Sequence, residues 1–230
     1  MPFEVCRTPH SEEELVQRAR QLAGVSVGEL AHRLKQSLPR EALRGKGRIG
    51  ELLERALGAS GGSLPVPDFP ELGIELKTLP VDAEGRPRES THVTTVPLTD
   101  HIGLRWEDSL VCRKLRRVLW VPVQSRPQQA MAERRIGTPL LWSPRPEQEA
   151  VLKRDFEELM EMVCLGRLRD IRAHYGTYLQ IRPKAADGRA RTAGVGPQGE
   201  RIAALPRGFY LRAAFTGAIL REHYALPAPR

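Results

Sequence analysis

The sequence predicts an α/β fold with a mixed sheet flanked by helices. Three observations carry that prediction: a first third with helical periodicity and helix caps, short apolar runs alternating with turn signals in the middle, and one long amphipathic stretch between such runs. Ser11-Glu12-Glu13-Glu14 is a capping box, in which the Ser11 hydroxyl accepts an early backbone N–H and Glu14 reaches back. Leu15, Ala19 and Leu22 then recur at helical spacing. Ser26-Val27-Gly28-Glu29 repeats the device before Leu30 and Leu34. A third helix runs over about 48–57, where Ile49, Leu52, Leu53, Ala56 and Leu57 form one apolar stripe and Gly58 stops it.

Residues 58–67 form a loop rich in breakers. Gly73 to Leu79 reads as a strand ending at Pro80, followed by a polar turn over 82–88. Thr91 to Leu98, Val118 to Val123 and Pro139 to Trp142 are further strands. Pro146 to Val163 is a long helix with Leu152, Phe156, Leu159 and Met160 on one side. Tyr178 to Ile181 is a short strand, Lys184 to Glu200 a basic loop rich in Gly and Ala, Phe209 to Leu211 a strand and Ala213 to Tyr224 the last helix. The tail 225–230, with two prolines, is expected to fray. A single domain is expected, with a helical lobe of about 1–60 packed on a sheet-containing lobe of about 65–224 and a cleft between them as the natural ligand site.

Composition excludes several classes. With 40% hydrophobic and 28% charged residues among 230, the chain has an ordinary globular balance, and disorder throughout is excluded. Apolar runs such as Val118 to Val123 are far too short to span a bilayer. The stretch from Met1 to Cys6 has no basic segment followed by an apolar one, so a cytoplasmic protein is expected. Cys6, Cys112 and Cys164 are odd in number and widely spaced, which fits free thiols and neither a disulfide framework nor a zinc site. The six histidines form no HxxxH or HExxH pair. The formal charge of +8 and pI near 9.9 favour a polyanionic partner, since each phosphate contact releases condensed counterions.

The chemistry concentrates in Pro67-Asp68-Phe69-Pro70-Glu71-Leu72-Gly73-Ile74-Glu75-Leu76-Lys77. Strand side chains alternate faces, so Ile74, Leu76 and Thr78 point one way while Glu75 and Lys77 share the other, about 7 Å apart. Asp68 lies in the loop just before and can fold back beside Glu75. Hard Mg²⁺ takes oxygen ligands, and Asp68, Glu75 and the backbone carbonyl of Leu76 supply them. The ion acidifies a water and neutralises charge on a phosphate, while Lys77 orients the attacking water or stabilises the transition state. A solvated Glu–Lys surface pair is the competing reading of the same spacing.

Glu54, at the edge of the third helix's apolar stripe, is either a further carboxylate on the metal side or a plain exposed helix residue. Lys114, within the basic run Arg113-Lys114-Leu115-Arg116-Arg117, is a candidate phosphate clamp or part of a solvated face. Gly45-Lys46-Gly47-Arg48-Ile49-Gly50 matches GxGxxG, but no apolar strand precedes it, so a dinucleotide site is rejected. The same glycines and cations at a helix N-terminus can hold a DNA phosphate. No phosphate-loop motif is present, so ATP hydrolysis is not expected.

On these residues the chain resembles the MutH family of DNA mismatch repair endonucleases over nearly its whole length. Lys46-Gly47-Arg48-Ile49-Gly50 with Leu52-Leu53-Glu54 and Leu57-Gly58-Ala59-Ser60 is similar to the family's first block. Asp68-Phe69 with Leu72-Gly73-Ile74-Glu75-Leu76-Lys77-Thr78 is similar to its active-site block. The stretches 114–123, 139–144, 178–186 and 205–211 are similar to four more, in order. The resemblance implies a restriction-endonuclease-like fold, two lobes around a DNA-binding cleft. It implies a Mg²⁺-dependent enzyme that nicks the unmethylated strand 5′ of the G at hemimethylated GATC sites, activated by MutL after MutS finds a mismatch. It further implies that Asp68, Glu75 and Lys77 are catalytic, that Glu54 joins them near the metal, and that Lys114 lies on the active-site side. Arg182, Pro183 and Lys184 match a loop that reads bases, Tyr210 a residue near the adenine whose methylation is sensed, and Lys46 a DNA-contacting position. The chain departs from the pattern at His92, where the family has an aromatic, and contacts from that loop are left unassigned.

Two other readings compete. A restriction enzyme of the same fold would cut both strands at GATC and favours a dimer or an internal duplication; a chain of 230 residues with no repeat favours a monomer. A DNA-binding accessory protein would bind without cutting.

Overall fold

Polar caps start the first helices where the sequence places them. The structure, a computed structural model, describes residues 7–39, 47–62, 64–184 and 188–225. Helix α1 spans Glu12–Gln21, α2 Val27–Arg33 and α3 Arg48–Leu57. Ser11 accepts the Glu14 N–H at 3.2 Å, while the Glu14 carboxylate takes the N–H of His10 at 2.8 Å, one residue earlier than a capping box requires. Ser26 accepts the Glu29 N–H at 3.1 Å and starts α2 in the same way. Gly58, left-handed at φ 79°, ends α3 as expected.

The remaining elements are β1 Glu75–Val81, β2 Thr91–Thr95, α4 Leu110–Leu115, β3 Val118–Gln124, β4 Leu140–Trp142, α5 Pro146–Cys164, β5 Leu179–Pro183, β6 Thr192–Val195, β7 Arg201–Ala204, β8 Arg207–Leu211 and α6 Ala213–Tyr224. They form one mixed sheet, β1-β3-β4, with β1 parallel and β4 antiparallel to β3. A second sheet, β2-β8-β5, is antiparallel throughout, and β6 and β7 make a hairpin. The expected α/β class with a mixed sheet is what forms.

Three details differ from the sequence reading. β1 runs through Pro80 to Val81 instead of stopping before the proline. It can do so because β1 is an edge strand. Pro80 turns its carbonyl outward to the Arg88 N–H at 2.9 Å, so the missing N–H costs no ladder bond. The hairpin β6–β7 lies partly inside the expected loop of 184–200; its small residues Ala193, Gly194, Ala203 and Ala204 carry no apolar alternation to announce it. Helix α4, six residues long, is too short to show a period.

The chain divides into two compact units. One comprises Met1–Arg88, Arg116–Ser143 and Gly217–Arg230; the other comprises Glu89–Leu115 and Pro144–Thr216. The division does not fall at residues 60–65, because α1, α2 and α3 share a core with the sheet. Leu15, Leu30, Leu52, Leu53 and Leu57 pack in one cluster with Ile74 and Leu76 of the β1 segment and Leu119 and Val121 of β3. In the second unit, Phe156 of α5 meets Trp106 edge-on at 5.6 Å and Phe209 of β8 at 5.5 Å. Of the expected frayed tail, residues 226–230 lie outside the described residues. Among the described residues no helix is long and apolar enough to cross a membrane.

Leu53 is fully buried one residue before Glu54. We expect Leu53→Ala to lower the unfolding free energy by about 2–5 kcal/mol, read as a fall in the urea midpoint without a change in slope.

Candidate active site

The site begins with a turn that brings Asp68 back onto β1. The Ser60 and Gly61 N–H groups both donate to the Asp68 carbonyl at 3.0 Å, tying the loop after α3 to the turn. A side chain at Gly61 would place its Cβ 2.4 Å from the Pro67 carbonyl oxygen, so only glycine allows this approach. Phe69, fully buried, pairs with Ile74 through two backbone hydrogen bonds of 2.9 and 3.2 Å, and Pro70–Leu72 fills the turn between them. Asp68 is thereby delivered to the strand, where its Oδ2 accepts the Leu76 N–H at 2.8 Å.

Glu75 and Lys77 share a face, as strand alternation requires, and the Lys77 Nζ forms an ion pair with Glu75 Oε1. That face is largely interior, with Lys77 half-buried. Glu75 is 1% exposed, and Leu79 and Val81 farther along the same face are buried. β1 is therefore covered on both sides, with Ile74 and Leu76 in the helical core. An acid and a base inside an apolar strand carry a desolvation cost that a surface pair does not, which disfavours the solvated-pair reading.

Glu54 of α3 belongs to the same cluster. Burial, and next the negative charge of Asp68, holds its carboxyl above the usual range; Glu51 and Glu75 add to the rise and Lys77 opposes it. Glu54 is half-buried and senses the charges of Asp68, Glu75 and Lys77. Among the described residues no three Asp, Glu, His or Cys side chains already close on one point. What the site offers is an oxygen donor set, two carboxylates and a carbonyl. A strand residue's N–H and C=O point to the same side, so the Leu76 carbonyl is directed toward the edge on which Asp68 lies. Carboxylate and carbonyl oxygens are the donors that a hard divalent cation takes.

The other expected residues fall in the second unit. Arg182 and Pro183 end β5, Lys184 follows, and all three are exposed. Tyr210 on β8 faces Gln180 of β5 and His92 of β2 in register. The Arg182 guanidinium stands 6.0 Å from the Tyr210 ring centre, and the His92 ring meets that ring edge-on at 5.1 Å. Burial raises the Tyr210 hydroxyl's pKa, with Arg182 opposing and Glu89 adding to the rise. Two residues that the sequence reading missed support this face. Ser90 accepts from Gln180 at 2.8 Å and from Arg182 at 3.4 Å, and Thr95 accepts from Lys184 at 3.3 Å. Small hydroxyls beside a short strand carry no sequence signal of their own.

Lys114 is half-buried in α4 of the second unit, whereas Arg117 belongs to the first. Arg117 does not act as part of a free basic run, because its Nε donates to Glu12 at 3.0 Å. Lys46 lies outside the described residues.

Comparison with known proteins relates the chain to one family. Residues 57–155, which include Asp68, Glu75 and Lys77, match the family model described as DNA mismatch repair enzyme MutH. The DNA mismatch repair protein MutH of Serratia proteamaculans is 53% identical over 94% of this chain and 95% of its own length. The protein of that name from Escherichia coli is 51% identical over 98% of each chain, and that from Yersinia enterocolitica 50% identical over 95% and 96%.

A raised folded-state carboxyl pKa gives stability that is present below the unfolded value, near 4.5 for Glu54, and is lost as pH rises through the folded value. Glu54→Gln removes that loss. In metal-free urea titrations the variant is expected to match wild type well below pH 4.5 and to become the more stable of the two as pH rises toward neutrality.

Proposed function

The chain belongs to the MutH family of DNA mismatch repair enzymes, and from that premise we propose that it is a Mg²⁺-dependent endonuclease that nicks the unmethylated strand 5′ of the G at hemimethylated GATC sites. The observation that carries the proposal is the latch of Asp68 onto Leu76 beside the ion pair of buried Glu75 with half-buried Lys77, with the pKa of Glu54 raised by its burial and by the charge of Asp68.

Asp68, Glu75 and the Leu76 carbonyl would hold the ion, which would supply acidification of a water and charge neutralisation at the scissile phosphate. Lys77 stabilises charge building on the phosphate or orients the attacking water. Glu54 is the further carboxyl group beside them, within reach of the charges of Asp68, Glu75 and Lys77. Lys114, in α4, is assigned as a further cation of the reaction by its match to the family.

Sequence reading falls to the second unit's exposed cations. Arg182 and Lys184 donate to guanine O6 and N7 in the major groove, with Pro183 between them fixing the backbone, and Lys46 contacts a phosphate. Tyr210 packs beside the target adenine, where a methyl on N6 is crowded out; His92, an edge-on neighbour of that ring, takes the place of the family's aromatic. The formal charge of +8 strengthens binding to the duplex at low salt. MutL activates the enzyme after MutS has located a mismatch, and the enzyme acts as a monomer in the cytoplasm.

A nicking assay on hemimethylated GATC plasmid, with Mg²⁺ or with EDTA and with cut positions mapped, tests this reading. We expect single-strand cuts 5′ of the G, abolished by EDTA. Lys77→Ala is expected to slow nicking by at least about 10²–10³-fold while DNA affinity stays near wild type. Double-strand breaks would point to a restriction enzyme. No cut even with MutL present would point to an accessory protein, and an equal loss of binding and activity would make Lys77 a phosphate clamp.

A further inference from the structure

Asp155 is a buried acid that the proposed chemistry does not use. It lies midway along α5 and is 1% exposed. Its Oδ2 accepts three successive backbone N–H groups, from Thr177 at 2.8 Å, Tyr178 at 2.6 Å and Leu179 at 2.9 Å. Three donors converging on one oxygen call for a full negative charge. Leu179 is the first residue of β5, and the segment before it has no strand partner to take these groups.

A single cation takes the carbonyls of the same segment. Arg212 donates from Nε to Gly176 at 2.9 Å, and from Nη2 to Ala173 at 2.6 Å and Tyr175 at 2.8 Å. Its backbone N–H adds a bond to the Tyr178 carbonyl at 2.9 Å. Arg212 directly follows β8, the strand that carries Tyr210. The turn between these anchors is tight: Gly176 has φ 76°, and a Cβ there would meet the Leu179 carbonyl oxygen at 1.8 Å. The Tyr178 ring stacks on Phe215 with centres 3.9 Å apart.

The clamp sits where β5 begins and β8 ends, so it determines their pairing. Leu179 lies opposite Leu211, which places Gln180 against Tyr210 and Arg182 against Gly208. A slip of one residue would send Arg182 to the opposite face of the sheet, away from the Tyr210 ring. We propose that Asp155, acting with Arg212, is a specificity-determining positioning residue that holds the β5–β8 register and with it the orientation of Arg182 beside Tyr210. It acts through the strand and not on DNA directly, because its side chain is buried. The inference rests on the reading of Arg182, Pro183, Lys184 and Tyr210 as DNA-contacting.

The test compares wild type with Asp155→Asn, which keeps the shape and removes the charge. Affinity is measured in Mg²⁺ for a duplex with one hemimethylated GATC and for the same duplex with that site scrambled, both with an uncleavable linkage at the scissile position. At a temperature where circular dichroism shows both proteins fully folded, cognate affinity is expected to fall about tenfold or more with scrambled-site affinity unchanged. Amide exchange at 177–179 should quicken. Equal losses on both duplexes, or no loss, would overturn the proposal. If Asp155→Asn does not fold, Arg212→Gln, which frees the carbonyls and leaves the carboxylate in place, is judged by the same criterion. A wild-type protein without preference for GATC would overturn the DNA-reading assignment and this proposal together, whereas a wild-type preference that the variant keeps overturns the clamp alone.

Discussion

The Leu76 N–H donates outward from an edge strand, and Asp68 is its acceptor at 2.8 Å. Because among the described residues β3 is the strand paired along β1, the other edge of β1 has backbone groups to offer, and the turn over 68–74 folds an aspartate onto one of them. That contact brings Asp68 to the strand that bears Glu75. Glu75 is the residue before Leu76, so latching Asp68 there puts two carboxylates on adjoining stretches of backbone. Without the latch the turn would present Asp68 to solvent, and Glu75 and Lys77 would remain a buried ion pair with no metal-side partner.

The two units carry different chemistry. The first has a core of helices packed on a mixed sheet, and the strand at that sheet's edge bears the acids and Lys77. The second has an aromatic core of Trp106, Phe156 and Phe209, and its antiparallel sheet bears the exposed cations and Tyr210. In the proposed function the buried Glu75 would serve hydrolysis and the exposed Arg182 base reading, which needs donors at a surface.

Most of this was legible in the sequence wherever the signal was local. Helix α3 begins at Arg48 and ends at Leu57, as its apolar stripe and Gly58 require, and α6 has its expected bounds. The Asp68, Glu75 and Lys77 cluster was legible because strand alternation alone puts Glu75 and Lys77 together. What alternation cannot report is burial: the face that bears Glu75 is covered by its surroundings, which no local pattern encodes. Non-local packing also hid the division into units, since α1 to α3 share their core with strands distant in sequence. Asp155 reads on the sequence as one more polar residue of an amphipathic helix; only the fold brings the backbone of 177–179 to its carboxylate. Arg182, Pro183, Lys184 and Tyr210 drew attention through family resemblance and not through any pattern in their own spacing.

The central claim is that Asp68 and Glu75 hold one divalent ion between them. Calorimetric titration of Mg²⁺ into wild type, Asp68→Asn and Glu75→Gln, each shown to be folded, tests it without recourse to cleavage. The account predicts a single saturable site in wild type that either substitution abolishes. Saturable binding that persists unchanged in both variants would place the ion elsewhere and contradict it.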